Sequence, residues 1–288
     1  MLKKKRKALV SGLALFLGFI FFGSFYRFGT ATAGTTADDV LKVMTFNVRN
    51  FNNMRQIDKP DVDSLIMKFL ERENPDIICI QEANYALKRS NVPRGYEYKY
   101  VDFVYGEPTG NVIQAIYSKY PILKIHTIDF RKSHNTAMYA DILMGVDTIR
   151  LFNLHLQSFN IIPEMRTLQK EDSKKLFGRL QTAFKKQQQQ TELIAKYLDS
   201  TKSPKIVVGD FNNTQFSNSY QTVKGDMADT FLEKGSGFGK TYSLFGLPMR
   251  IDYILADETF EVVSHKNYDV VLSDHYPVMA TLQLKSEE

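Results

Sequence analysis

The sequence has almost no cysteine, since Cys79 is the only one in 288 residues. A single cysteine excludes an intrachain disulfide framework. It lies in the apolar run Ile77–Ile80, where a small buried hydrophobic side chain is expected. A cysteine-based metal site and a thiol nucleophile are therefore disfavoured.

Excess positive charge is also lacking once the N-terminus is set aside. The chain has 37 Lys and Arg against 32 Asp and Glu, a formal net charge of +5. The first 33 residues carry six of the basic residues and no acidic one, which leaves 31 basic and 32 acidic residues in the remainder. The high pI is thus a property of the N-terminal segment. The expectation that a basic protein binds nucleic acid does not extend to the rest of the chain.

The N-terminal segment has the pattern of an export signal. The basic cluster Lys3–Lys7 precedes a stretch without charge from about Ala8 to Tyr26. Such a cluster stays on the cytoplasmic side while the following chain is exported. Ala31-Thr32-Ala33 fits a cleavage site, whereas the apolar stretch approaches the ~20 residues of a membrane anchor. Residues 1–33 are therefore assigned to a signal peptide or a membrane anchor, and residues 34–40 to a short tether. Either alternative places the rest of the chain outside the cytoplasm, membrane-anchored or secreted.

Residues 41–284 are predicted to form a single layered α/β domain, because strand-like runs alternate with helical ones. Helices are predicted over Pro60–Glu73 and from about Met165 to Leu198. The second helical tract is rich in Lys and Arg, which fits either a solvated face or a basic arm that contacts a phosphate polymer or anionic lipid. The predicted strands are Leu41–Phe46, Asp76–Gln81, Val112–Ser118, Ala137–Leu143, Thr148–Leu156, Lys205–Gly209, Arg250–Leu255 and Tyr276–Leu284.

Polar residues of the kind that bind metals or transfer protons recur at the ends of these strands, where loops of an α/β enzyme converge on one rim. Asn47, Glu82 and Asp274 offer the hard oxygen ligands that Mg²⁺ or Mn²⁺ prefers. The other such positions are His155, Asp210, Asn212, Asp252 and His275.

These side chains suit one reaction. Asp210 is suited to orient and deprotonate a water, and Asn212 to donate a hydrogen bond to a phosphoryl oxygen. His155 and His275 can bind or protonate a developing anionic oxygen, and Asp252 can hold one imidazole in its tautomer. With a divalent cation, this set indicates hydrolysis of a phosphoester.

The motifs that carry these residues resemble, in order, those of the endonuclease/exonuclease/phosphatase superfamily, which includes deoxyribonuclease I and the sphingomyelinases. The resemblance covers about residues 41 to 284. The matching segments are Thr45–Arg49, Asp76–Glu82, Tyr117–Ile122, Asn153–Leu156, Gly209–Asn212, Arg250–Ile254 and Ser273–Pro277.

This resemblance implies a four-layer α/β/β/α sandwich with the site at one rim. It implies Glu82 as the principal metal ligand, with Asn47 and Asp274 close to the ion. It also implies that Asp210 and Asn212 position or activate the water. Asp252 would pair with His275, and His155 would contact the scissile phosphate as a candidate acid. The number of metals and the assignment of acid and base remain open.

The sequence differs from individual branches of the superfamily, and these differences narrow the range of expected functions. The segment Arg250–Tyr253 lacks the Cys-Asp-Arg usual in inositol polyphosphate 5-phosphatases, and one cysteine excludes the disulfides of secreted deoxyribonucleases. Abasic-site repair enzymes share the motifs from Asp210 to His275, but an exported location does not suit them. A phosphodiesterase or nuclease acting outside the cytoplasm is expected.

Two alternatives stay open: a sphingomyelinase-like phospholipid or small-molecule phosphoesterase at the membrane surface, and a catalytically inactive binding module. The expected partners are a phosphodiester substrate, nucleic acid or phospholipid, and a membrane through a retained N-terminal segment. Substrate choice is expected to lie in loops such as Lys88–Gly95, Phe159–Arg166 and Lys234–Pro248.

Overall fold

The computed structural model describes two stacked six-stranded sheets. It describes residues 40–84, 93–103, 112–160 and 172–285, together with 26–29 and parts of an N-terminal helix between residues 6 and 18. The first sheet has the order β13-β14-β1-β2-β4-β3 and consists of β1 (Val40–Asn47), β2 (Ile77–Ala83), β3 (Tyr98–Val101), β4 (Ile113–Ser118), β13 (Phe260–Asn267) and β14 (Val278–Leu284). The second has the order β5-β6-β7-β8-β12-β9 and consists of β5 (Ile122–Asp129), β6 (Thr136–Met144), β7 (Asp147–His155), β8 (Lys205–Asp210), β9 (Ala228–Asp229) and β12 (Asp252–Ala256).

Helices cover the outer faces of both sheets, which confirms the four-layer α/β/β/α sandwich. The helices are α1 (Val62–Glu73), α2 (Ser173–Asp199), α3 (Asn218–Lys224) and α4 (Thr230–Lys234), and a separate hairpin consists of β10 (Tyr242–Leu244) and β11 (Leu247–Met249). Alternation along β1 shows the layering: Leu41 and Val43 pack between the sheets, whereas Met44 and Phe46 pack in the outer core that contains the buried face of α1. Central strands buried on both faces explain their continuous apolar sequences.

The predicted strands are present, and two of them begin two residues later than predicted. Strand β12 begins at Asp252 because the amides of Ile251 and Asp252 donate to the Thr241 side chain, at 2.9 and 3.0 Å, before the strand ladder starts. Strand β14 begins at Val278 because Pro277 has no N–H for a ladder hydrogen bond. Strands β3, β5, β9 and β13 were not predicted. Lys234–Pro248, expected to be a loop, contains most of the β10–β11 hairpin.

The predicted helices differ from the observed ones mainly at their N-terminal ends. Helix α1 begins at Val62, after a turn that contains Pro60. Helix α2 begins at Ser173, where the Asp172 carboxylate caps it by accepting from two backbone amides. The predicted stretch from Met165 to residue 171 lies outside the described residues.

The segment 26–29 is attached to a loop that borders the hairpin. We call residues 235–241 the rim loop. Arg27 and Gly237 exchange two backbone hydrogen bonds of 2.8 and 2.9 Å. The ring of Tyr26 packs edge-on against Phe238, with the ring centroids 5.0 Å apart. Among the helical residues that could be described, no helix is both long and apolar enough to cross a membrane.

Candidate active site

The register of neighbouring strands brings the predicted site residues to one edge of the sandwich. In the parallel pair β7–β8, His155 lies opposite Asp210, and in the antiparallel pair β12–β8, Asp252 also lies opposite Asp210. In the first sheet, the parallel pair β1–β2 places Asn47 opposite Gln81, next to Glu82. The pairing thus assembles, at the ends of strands, side chains that are distant in sequence.

Asp210 is the centre of the polar contacts in this site. Its side chain is almost fully buried. Its Oδ2 accepts from Nδ2 of Asn47 at 3.0 Å and from Nδ2 of Asn212 at 3.2 Å, and its Oδ1 accepts from the Asn212 amide at 2.7 Å. Burial raises the pKa of Asp210 and the nearby carboxylate of Asp252 adds to that effect, so the pKa lies above its ordinary value. A carboxylate in this state is suited to take a proton from water near neutral pH.

A glycine is required immediately before Asp210. Gly209 has a φ of +128°, and a Cβ there would lie 2.1 Å from the backbone oxygen of Leu154 in β7. No side chain fits at that distance. The close approach of β8 to β7 therefore depends on Gly209, and with it the position of Asp210.

His275 is held by a carboxylate on one side and faces Asp210 on the other. Its Nδ1 lies 3.0 Å from Oδ2 of Asp252, and its Nε2 lies 3.8 Å from Oδ2 of Asp210. Burial by itself lowers the pKa of His275, but the charges of Asp252 and Asp210 outweigh it and raise the pKa to about 9. His275 is therefore an imidazolium at neutral pH, which suits it to stabilise negative charge.

His155 lies between two carboxylates and has ring nitrogens free for a ligand. Its Nε2 is 3.5 Å from Oε1 of Glu82 and 3.7 Å from Oδ2 of Asp210. The imidazole is buried, and within the described part of the chain neither ring nitrogen has a hydrogen-bond partner. Burial lowers the pKa of His155, but Glu82 and Asp210 outweigh it and raise the pKa above its ordinary value.

Glu82 has the properties of a metal ligand. It stands at a bulge in the pairing of β2 with β4 and has a φ of +50°, which turns its carboxylate toward the rim. Burial raises its pKa, but the nearby His155 imidazole and a hydrogen bond from Asn47 outweigh this and lower the pKa to about 2. Glu82, His155 and Asp210 each offer a ligand atom, and these atoms lie within 4.8 Å of one another. Of these three, the carboxylate of Glu82 is the ionised oxygen donor that a hard divalent cation prefers.

The structure orients two of the predicted metal ligands differently from the expectation. Nδ2 of Asn47 donates to both Glu82 and Asp210, and its Oδ1 accepts from the amide of Arg49, so ligation by Oδ1 requires the amide to turn over. The carboxylate of Asp274 lines the same cavity, but it forms an ion pair with Arg49. Asn47 and Asp274 thus adjoin the site, and their role as ligands stays a prediction.

Three residues that the sequence analysis did not assign complete the site. Arg49 holds Asp274, and the Tyr242 ring packs against the imidazole of His275 with centroids 5.0 Å apart. Thr241 accepts the amide of Asp252 and so fixes the start of β12. Of these, only Arg49 belongs to a matched motif, Thr45–Arg49, which was a signal that could have identified it.

A buried polar network joins the two sheets beneath the site. Nε2 of Gln81 donates to Oδ1 of Asn153 at 2.6 Å and to Oγ1 of Thr45 at 2.9 Å. Asn153 in turn donates to the backbone oxygens of residues 80 and 115. Since buried polar groups are stable only when they are paired, this network fixes the relative position of the sheets that carry Glu82 and His155.

The site opens into a cavity of about 700 Å³. Glu82, His155, Asn212, Asp274 and His275 line it, together with a set of apolar side chains. The volume is in the range of cavities that bind small molecules or a nucleotide. The site combines an ionised carboxylate (Glu82), a carboxylate with a raised pKa (Asp210) and two imidazoles. Together these groups can catalyse the hydrolysis of a phosphoester.

Comparison with known proteins gives one family. The protein-family model described as "Endonuclease/Exonuclease/phosphatase family" matches residues 44–275 of this chain. A curated relative, the DNA-(apurinic or apyrimidinic site) endonuclease of Dictyostelium discoideum, is 26% identical over 68 residues, which span 23% of this chain and 17% of that protein.

Solved structures have the same fold at low sequence identity. TDP2 of D. rerio, in complex with a single strand DNA product, has a TM-score of 0.64 at 14% identity and covers 85% of this chain and 100% of its own. An endonuclease/exonuclease/phosphatase from Bacteroides vulgatus has a TM-score of 0.64 at 17% identity, with 86% and 100% covered. The human Nocturnin catalytic domain has a TM-score of 0.63 at 16% identity, with 88% and 97% covered. At these identities the structures support the fold alone.

Proposed function

This chain belongs to the endonuclease/exonuclease/phosphatase family and is a phosphoester hydrolase, and from that premise we propose that it is a divalent-metal-dependent phosphodiesterase that cleaves nucleic acid outside the cytoplasm. The observation that carries the proposal is the convergence of Glu82 and His155 with Asp210, next to the Asp252–His275 pair, at a single cavity.

The side chains divide the work of hydrolysis between them. Asp210 accepts a proton from the attacking water. Asn212 holds that carboxylate, and because its Nδ2 also donates to the backbone oxygen of Leu156, a hydrogen bond from it to the phosphoryl group requires its side chain to move. The imidazolium of His275, kept charged by Asp252, stabilises negative charge on the phosphoryl oxygens. The water oxygen bonds to phosphorus, the bond to the leaving oxygen breaks, and His155 supplies the proton that the leaving oxygen takes up.

A divalent cation, when bound, neutralises charge on the phosphoryl oxygens. We propose that Glu82 is its main ligand, with Asn47 and Asp274 beside it. The ionised state of Glu82 down to low pH supports this assignment, because its pKa is lowered to about 2. Mg²⁺ or Mn²⁺ is the proposed ion, because the oxygen donors are hard and Cys79, the lone thiol, is buried in the core.

Nucleic acid is the proposed substrate because relatives in the family act on it. The similar Dictyostelium protein is an apurinic or apyrimidinic site endonuclease, and the similar D. rerio structure holds a single strand DNA product. The near-neutral charge of residues 34–288 means that long-range attraction contributes little, so recognition must come from contacts in the cavity.

The location outside the cytoplasm is part of the proposal and is supported by the sequence of the N-terminus. The basic cluster Lys3–Lys7 followed by an uncharged stretch is the pattern of an exported chain. A fusion of bacterial alkaline phosphatase to the C-terminus tests it, because that reporter is active only after export. Activity is expected. An inactive fusion that accumulates intact in the cytoplasm would contradict the export.

The central experiment measures cleavage of nucleic acid by the full chain purified in detergent. Supercoiled plasmid and a single-stranded oligonucleotide are incubated with Mg²⁺, with and without EDTA. Asp210→Asn is expected to reduce cleavage by a factor of about 10² to 10⁴, the usual contribution of a general base. Asp147→Asn is the matched control, since Asp147 is an exposed carboxylate at the opposite end of β7 from His155.

The outcomes separate the parts of the proposal. Cleavage that requires both metal and Asp210 supports a nuclease. Full activity of Asp210→Asn would refute the role given to that carboxylate. Failure of the folded protein to cut any nucleic acid, together with hydrolysis of phosphatidylcholine or sphingomyelin vesicles, would replace nucleic acid by phospholipid as the substrate.

A further inference from the structure

We call the apolar side chains that line the active-site cavity its apolar wall. They share the same 700 Å³ space with Glu82 and His155. The side chains of this wall come from the segment after β7, from α2 and from the β10–β11 hairpin. They are Phe159, Leu180, Phe184, Leu244 and Met249, and Met54 also lines the cavity.

Two aromatic rings form the most distinctive part of this wall. The ring centroids of Phe159 and Phe184 are 4.6 Å apart, with the planes at 57°. Phe184 is 51% exposed, and among the described residues neither ring belongs to an apolar core. These rings therefore contribute little to the packing of the fold, and their exposed faces are available to a ligand.

The aromatic pair is fixed relative to the catalytic residues. Phe159 follows His155 by four residues. Helix α2 is tied to the same segment, because Nε2 of Gln187 donates to the backbone oxygen of Gln157 at 2.7 Å and the Gln157 amide donates to Gln190 at 2.8 Å. A rigid attachment of this kind places a bound group at a constant distance from the phosphate site.

The cavity also offers groups that bind a polar edge. Asn135 and Asn160, which carry amide side chains, line the same cavity as the rings. A nucleobase has an apolar, planar face and an edge of hydrogen-bond donors and acceptors, so it matches both features. A hydrocarbon chain matches only the rings and would cover the amides without satisfying them.

From this geometry we infer that Phe159 and Phe184 stack on an unpaired nucleobase next to the scissile phosphate, so that the enzyme prefers single-stranded nucleic acid to duplex. The inference rests on the proposed nuclease function and specifies its substrate. In a duplex both faces of each base are covered by neighbouring bases, so only a single strand or an extruded base can offer a face to the rings.

The test compares two single-stranded oligomers with the same phosphodiester backbone, one of deoxyadenosine and one of tetrahydrofuran spacers that carry no base. Loss of one aromatic stacking contact corresponds to a reduction of about five-fold to a hundred-fold in kcat/KM. Phe184→Ala is expected to show this reduction on the deoxyadenosine oligomer and no change on the spacer oligomer. Phe184→Leu is expected to behave like the alanine variant, and Phe184→Tyr like the wild type.

Phe177→Ala is the matched control, because Phe177 is 68% exposed on the same helix but lines a neighbouring groove and not the active-site cavity. Thermal unfolding of each variant verifies that it is folded. The wild type is also expected to cut the deoxyadenosine oligomer faster than its duplex with deoxythymidine.

Three results would overturn the inference. The first is equal loss of activity on both oligomers in Phe184→Ala, and the second is equal cleavage of single strand and duplex by the wild type. The third is unchanged activity of Phe184→Ala on the deoxyadenosine oligomer; in these three cases the nuclease function still stands. If the wild type cuts neither oligomer nor plasmid, the proposed function fails as well, and hydrolysis of phospholipid vesicles that tolerates Phe184→Leu would assign the wall to an acyl chain.

Discussion

The pairing of His275 with Asp252 makes a quantitative prediction about stability. Burial lowers the pKa of His275, but Asp252 and Asp210 outweigh it and raise the pKa from 6.5 to about 9. A histidine whose folded pKa exceeds its unfolded value adds stability that is fully present below the unfolded pKa and lost as pH rises through the folded pKa. One pKa unit corresponds to about 1.4 kcal/mol, so His275 contributes roughly 3 kcal/mol near pH 6 that is lost by about pH 9.5.

Asp252→Asn removes the strongest charge that raises this pKa. Between about pH 6 and pH 9.5, the free energy of unfolding of the variant is expected to fall by roughly 2 kcal/mol less than that of the wild type. The reason is that the imidazole of the variant gives up its proton closer to the ordinary pKa. The free energy of unfolding is measured with urea at both pH values in EDTA, so that no bound metal contributes. For Asp147→Asn, at the far end of β7, the free energy of unfolding should fall by as much as it does for the wild type.

A titration of the imidazole resonances by NMR checks the cause directly. In metal-free wild type, the midpoint for His275 is expected near 9, and in Asp252→Asn at least about one pH unit lower. A wild-type midpoint at or below 6.5 would refute the reasoning. So would an equal loss of stability in wild type and Asp252→Asn over the same pH range.

Three further predictions concern the scaffold. Gly209→Ala is expected to lower the free energy of unfolding in urea by on the order of 3 kcal/mol or more, because the added Cβ would lie 2.1 Å from a backbone oxygen of β7. Gly178→Ala, on an exposed turn of α2 with open space around the Cβ, is expected to gain up to about 1 kcal/mol in the same assay; a similar loss at both glycines would contradict the steric argument. Arg250→Met is expected to cost about 3 kcal/mol of stability because the buried carboxylate of Asp229, now 2.6 Å from the guanidinium, loses its counter-charge and keeps only hydrogen bonds from Tyr220 and backbone amides. Adding Asp229→Asn should recover part of that loss, and a fully additive double variant would argue against the pair.

The central strands could be predicted from the sequence because burial on both faces leaves a continuous apolar run. Strand β8 is an example, since the predicted Lys205–Gly209 differs from the observed strand by one residue. The edge strands gave a weaker signal. In β5 the pairing shifts between Ile122 and Lys124, and in β13 it shifts between Val262 and Ser264. Each bulge interrupts the two-residue alternation on which strand prediction depends.

The candidate site could be predicted as a set of residues, because polar side chains at strand ends are recognisable in a linear sequence. The contacts between them could not. The ion pair of Arg49 with Asp274 joins the segment after β1 to the segment before β14, and nothing local in either segment encodes the pairing. The orientation of the Asn47 amide likewise follows from two carboxylates that come from other strands. Such contacts depend on the register of the whole sandwich.

The two hydrogen bonds between Arg27 and Gly237 give the chain a second point of attachment to the domain, besides its entry into β1 at Val40. Anything that binds the chain before Tyr26 is therefore connected first to the rim loop. That loop leads directly into Tyr242, which packs against His275. A cut after Ala33 would weaken that connection, because the docked residues would then remain only through noncovalent contacts.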